Sequence, residues 1–163
     1  MSLTAKDGFP YYFGLANTSS LRQLFSERST FIFLESITDH KALYRYAADK
    51  WSIKQVVGHI TDHERIKSFR AFLFSRQMEV ELWGYDQDLL VNNSNFDNLD
   101  LGLLIQDFKN VRNATISFID TLTKKQLSLA GKIGKREVTL EEYLKSIIGH
   151  EIHHIKIIKE KYL

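Results

Sequence analysis

The chain contains no cysteine, which removes disulfides, thiolate metal sites, iron–sulfur clusters and a cysteine nucleophile together. Any metal site must draw on His, Asp, Glu or water. Proline is almost missing, with Pro10 alone, and glycine occurs eight times, sparse punctuation that suits long helices joined by a few loops. No run of about 18 consecutive apolar residues is present, and the N-terminus lacks the basic, apolar and small-residue regions of a secretory signal. The expectation is therefore a cytoplasmic protein with no membrane association. An excess of one charge is lacking too: 22 Lys and Arg stand against 20 Asp and Glu, too even for the basic field of a nucleic-acid binder. The one local basic cluster, Lys156, Lys159 and Lys161, falls in the last turns of a predicted helix, where cations favour the negative end of the macrodipole.

What is present is 163 residues with 44% apolar content, the size of one domain with one core; we expect a single domain over residues 1–163. Leu21, Leu24, Phe25, Phe31, Phe33 and Leu34 give an apolar face at three- and four-residue spacing, predicting a first helix from Ser20 to Ile37. Ser52 with Gln55 three residues on is a capping box. It opens a second helix that runs through Val56, Val57, Ile60, Ile66, Phe69 and Phe72 to about Arg76, with Trp51 as a staple. Residues 79–98 read as a long connection with one short helical turn, of a size that is often functional. A third helix is predicted from Asp100 to Leu122. Residues 127–138 are a connection with a small hairpin around Gly134. Thr139 with Glu142 forms a second capping box, and the helix it opens extends to the C-terminus. The fold class that follows is all-α, an antiparallel four-helix bundle.

Chemistry concentrates in the last helix, where His150, Glu151, Ile152, His153 and His154 spell H-E-x-x-H. The outer histidines lie one turn apart on one face, where two imidazoles can grip one ion. They also share the inward stripe of Tyr143, Ile147 and Ile157. The position of the motif argues against a zinc metalloprotease, whose third ligand lies downstream. Only nine residues follow His154, and the glutamate among them, Glu160, is too far along the same helix. A third ligand must come from upstream, from His40, His59 or His63. His59, among Val56, Val57 and Ile60, can face the interior. His40 sits at a helix end as a surface or capping residue. His63 either extends the site, satisfies a core polar group or lines the pocket entrance. His153 is displaced by about one hundred degrees from His154 and suits a supporting or interface role.

The run Trp51-Ser52-Ile53-Lys54-Gln55-Val56-Val57-Gly58-His59, then Asp62 and Glu64-Arg65, then Gly149-His150-Glu151 with His153-His154 and the closing Lys161-Tyr162-Leu163, resembles the DinB/YfiT-like superfamily over nearly the whole chain. The resemblance implies a four-helix bundle, commonly a homodimer, with one metal ligand on the second helix and two on the fourth; by motif match these are His59, His150 and His154. It implies a metal-dependent hydrolase, or a transferase moving a low-molecular-weight thiol onto an electrophile, and no DNA binding. His63 departs from the family pattern and leaves room for an altered ligand set.

Three neutral histidines leave positions on a divalent zinc, nickel, iron or manganese ion for water or a small-molecule substrate. Such an ion could serve hydrolysis or thiol transfer. Glu151 is the candidate general base by its place in the motif; the alternative is that it orients a neighbouring ring or pairs with an arginine. Asp62, Glu64, Arg65 and Arg70 read as ion-pair partners that pack helices. Trp83, Gly84, Tyr85 and Asp86 are placed to cover the pocket mouth, or else to plug the bundle end or form a dimer surface. The competing function is a non-catalytic, metal-stabilised binding or stress-response module.

Overall fold

The computed structural model describes residues 3–78, 84–133 and 135–163. Three long helices carry the fold: α4 over Ile53–Ser75, α6 over Leu101–Asp120 and α8 over Leu140–Ile157, the last continued by a wider π turn at Ile158–Tyr162. Both capping boxes form. The Ser52 hydroxyl accepts from the Gln55 amide at 3.0 Å while the Gln55 side chain accepts from the Ser52 amide. Thr139 and Glu142 make the same exchange ahead of α8.

The first predicted helix is not continuous. Three short helices replace it, α1 over Phe9–Ala16, α2 over Leu21–Ser26 and α3 over Ser29–Glu35. The break between α2 and α3 has a local cause. Glu27 is extended, with ψ of 134°, and its carboxylate accepts from the amides of Arg28 and Ser29 at 2.8 and 2.9 Å. Those amides open α3, so the side chain supplies acceptors that the helix end lacks. Helix α1 was not anticipated at all, and it packs along α8. Gly149 makes this approach possible, since a Cβ there would collide with the Tyr12 carbonyl.

The N-terminal segment closes a ring of four helical positions: α1 lies on α8, α8 on α4, α4 on α6, and α2 and α3 on α6. Contacts fix the directions. Lys54 meets the Leu99 carbonyl, Arg65 meets Asp107 and Phe72 meets Phe118, so α4 and α6 run the same way. His59 meets His150 and Phe74 meets Tyr143, so α4 and α8 are antiparallel. Parallel neighbours require the chain to return along the bundle between the end of α4 and the start of α6. The described residues of that connection carry α5, Gln87–Asn92, and a 3₁₀ turn at Phe96–Asn98. Between α6 and α8 lie α7, Lys124–Leu127, and an antiparallel pair of strands, β1 over Ala130–Ile133 and β2 over Arg136–Thr139. Gly134, at the expected hairpin tip, lies outside the described residues.

Two apolar clusters fill the interior. One gathers Phe31, Ile53, Val57, Phe108 and Ile158; the other gathers Phe25, Ala71, Ile119, Leu144 and Ile147. Between them along α4, α6 and α8 lies a layer of buried polar side chains: His59, His63, Glu64, Arg112, His150 and Glu151. Burying so many polar groups is costly unless each finds a partner, which marks this layer as the place to look for function.

Candidate metal centre

Helix α4 presents His59 inward and α8 presents His150 and His154 one turn apart. Nε2 of His150 lies 3.1 Å from Nε2 of His59 and 3.1 Å from Nε2 of His154. The three donor atoms fall within 4.8 Å of one another, the one group of metal-ligating side chains of this kind among the described residues. An imidazole nitrogen carries either one hydrogen or one lone pair, so His150 cannot satisfy both neighbours by hydrogen bonding. A cation shared among three lone pairs resolves that conflict. Burial pushes the His59 pKa down to about 4. Burial, reinforced by the neighbouring histidines, holds His150 and His154 well below the ordinary histidine range. At neutral pH all three are uncharged donors, the form that a metal binds. The residues fit a divalent ion.

Surrounding groups fix these rings. The Trp51 ring lies 4.8 Å from His59, and the Tyr162 hydroxyl donates to the Trp51 carbonyl at 2.8 Å, tying the closing turn to the start of α4. Tyr12 of α1 meets His150 edge-on at 5.2 Å. His63 is stacked on His150, ring centroids 3.6 Å apart, and its Nδ1 is 2.5 Å from the Tyr85 hydroxyl. It stands beside the three-histidine group and outside it.

Glu151 points to α6. Arg112, 1% exposed, grips Glu64 through Nε and Nη2 at 2.8–3.1 Å and also binds Glu151. Burial alone would lower the Arg112 pKa, but the Glu151 and Glu64 carboxylates more than offset this and hold it charged. Phe25, Phe31 and Phe108 lie within 6 Å of its guanidinium. Arg112 thus ties α6 to Glu64 on α4 and to Glu151 on α8, the two helices that carry the histidines. Of the two arrangements considered for Glu151, the arginine pairing is the one present. Arg112 itself was overlooked. Its signal lay in its phase, since it falls on the inward stripe of Ile105, Phe108 and Ile119.

The remaining candidates separate cleanly. His40 is exposed and precedes the 3₁₀ turn Lys41–Leu43, away from the centre. His153 turns to α1, its Nδ1 3.0 Å from the Tyr11 hydroxyl. Arg65 bridges Asp62 and Asp107, the packing role expected of that cluster. Asp86 caps α5, accepting from the Leu89 amide at 3.0 Å. Gly84 and Tyr85 line a pocket of about 280 Å³ with His63, Lys67, Arg70 and Ser146; Trp83 lies outside the described residues.

Known structures share this architecture. YfiT from Bacillus subtilis, described as a probable metal-dependent hydrolase with an unusual four-helix bundle topology, superposes with a TM-score of 0.71 at 20% identity, covering 98% of this chain and 89% of that one. The DinB-like protein YjoA, also from Bacillus subtilis, gives a TM-score of 0.54 at 19% identity, covering 94% and 88%. At these identities the likeness establishes the fold. No curated protein matches the chain. The sequence profile of the DinB superfamily matches residues 25–158, from α2 to the π turn and through all three histidines, and the chain belongs to the DinB superfamily.

Proposed function

We propose that this chain is a metal-dependent enzyme acting on a small molecule, a hydrolase or a low-molecular-weight thiol S-transferase, with His59, His150 and His154 as the ligands of one divalent ion. The observation that carries the reading is the convergence of three neutral imidazole nitrogens within 4.8 Å at the buried middle of the bundle. The description of YfiT as a probable metal-dependent hydrolase supports the hydrolase branch. Zinc, nickel, iron and manganese all accept such a donor set.

The ion, when bound, supplies a Lewis acid that polarises a substrate oxygen or sulfur. The chain supplies the rest. His59, His150 and His154 hold the ion from two helices whose separation is set by the packed polar layer. Trp51 and Tyr12 press on the ligand rings and exclude water from that side. His63, held by Tyr85, forms the wall between the centre and the neighbouring pocket. Glu151, the candidate base by motif, has its carboxylate on Arg112 and would have to leave a buried ion pair to accept a proton. In our reading it holds α8 against α6 and so positions His150 and His154.

The same reading takes residues 1–163 as one domain that works in the cytoplasm as a homodimer without nucleic acid or membrane. Among the described residues no helix is long and apolar enough to cross a membrane. Exposed Ile32 and Leu103 are apolar side chains that a dimer could cover. The test is turnover by metal-loaded protein on ester, amide and lactone substrates, and on electrophiles offered with low-molecular-weight thiols. Activity should fall at least a hundredfold in His154→Ala. A metal-loaded protein that turns over none of these classes would support the binding-module reading.

A further inference from the structure

The pocket beside the centre has a chemistry of its own. Its inner wall is His63, whose opposite neighbour is the His150 ring. Its sides are Lys67, Arg70, Tyr85, Tyr12 and Ser146. No carboxylate lines it among the described residues. Lys67 sits with its ammonium 4.6 Å from the centroid of the Tyr143 ring, and the charge that acts on it among the described residues is that of Arg70, a second cation. Burial and Arg70 together push the Lys67 pKa down to about 8. Gly8 and Phe9, at the start of α1, complete the rim, and the positive end of that helix adds to the field.

The Lys67 ammonium loses hydration in this partly buried pocket and has no carboxylate beside it among the pocket's lining residues. An oxyanion offsets this, accepting charge-assisted hydrogen bonds from the ammonium and compensating its charge. At about 280 Å³ the space is near the lower end for small-molecule sites, and suits a compact group.

We propose that this pocket seats an anionic group of the substrate, a carboxylate or phosphate-type oxyanion bound by Lys67, and so places the reacting part of the molecule past His63 at the metal centre. The substrate class is then a small anionic compound. This rests on the metal-dependent reading, and the pocket itself can be tested without turnover.

The experiment is calorimetric titration with inorganic phosphate and with malonate, at fixed ionic strength, of metal-loaded parent, Lys67→Gln, Lys67→Arg and the metal-free His154→Ala protein, with metal content measured for each. Saturable binding of either anion is expected in the parent, weakened at least tenfold in Lys67→Gln, kept within about threefold in Lys67→Arg and still present in His154→Ala. Which of the two binds tighter distinguishes a phosphate-type from a carboxylate ligand. Absence of saturable binding by both anions overturns the proposal, as does binding that Lys67→Gln leaves unchanged. Binding that disappears with the metal also overturns it, because the anion then sits on the ion. A parent that holds no metal but binds phosphate through Lys67 would overturn the metal-dependent reading and leave the anion pocket standing.

Discussion

His63 stacks on His150 with ring centroids 3.6 Å apart and planes 13° from parallel, and Tyr85 holds the far side of the His63 ring by a 2.5 Å contact with Nδ1. A residue in that position orients a ligand without being one. His63→Ala should therefore retain about one equivalent of metal and weaken its affinity by about tenfold, in the range found when groups supporting a ligand are removed. His59→Ala should lose far more. Competition with a chromophoric chelator measures both. Equal losses in the two variants would make His63 a fourth ligand.

Arg112 holds Glu64 and Glu151 together at 1% exposure. Removing the cation strands two buried carboxylates, so Arg112→Met should cost about 3–5 kcal/mol of stability, read as a shift in the urea midpoint. A change below about 1 kcal/mol would mean that the carboxylates find other partners.

Glu151→Gln tests the assignment of the motif glutamate. Arg112 keeps Glu64 in this variant, so we expect the metal retained, a lower melting temperature and turnover within about tenfold of the parent, a change worth about 1.4 kcal/mol in barrier. Loss of turnover by a thousandfold with the metal still bound would return Glu151 to the role of general base.

Gly149 and Gly58 make a matched pair. An added Cβ at Gly149 meets the Tyr12 backbone, whereas at Gly58 it meets the side-chain ring of Phe96. Overpacking against backbone relaxes less than against a side chain, so Gly149→Ala should destabilise more than Gly58→Ala and should free α1, exposing the Tyr11–His153 contact to solvent. Thermal melts and Tyr fluorescence report the two effects. The reverse order of stability would contradict the packing described for α1.

The buried histidines predict how the metal-free protein responds to acid. Burial lowers the folded pKa of His59 to about 4 and lowers those of His63, His150 and His154, while the unfolded chain titrates near 6.5. Above that pH neither state takes up a proton and the stability is fully present. Below it the unfolded state binds protons that the folded state refuses, so stability falls as the pH drops toward 4, by about 1.4 kcal/mol per pH unit for each histidine. Urea midpoints of chelator-treated protein at pH 7.5 and 5.5 should differ accordingly. A flat profile would require these rings to be exposed.

The long helices were legible because their ends carry local chemistry, Ser52 with Gln55 and Thr139 with Glu142. Two of the three centre residues were legible because H-E-x-x-H fixes a one-turn spacing. The break at Glu27 was hidden, since the apolar spacing of Leu21, Phe25, Phe31 and Leu34 runs straight across it and only a side-chain hydrogen bond interrupts the helix. Helix α1 was hidden for the opposite reason. Phe9 to Ala16 is apolar all round, so it has no periodicity to read, and its place is set by Gly149 far along the chain. The parallel course of α4 and α6 depends on a connection whose path no local pattern encodes. Tyr85 lines the pocket as expected of its stretch, whereas Lys67 reaches it from a surface-like position, and only the tertiary fold brings it to His63.

The central claim is that His59, His150 and His154 share one metal ion, and elemental mass spectrometry of untagged protein beside His59→Ala, purified identically, tests it most directly. The account predicts about one equivalent of a divalent metal in the parent and less than a tenth in the variant. A parent that stays empty after reconstitution, or a variant that keeps its full equivalent, would contradict it.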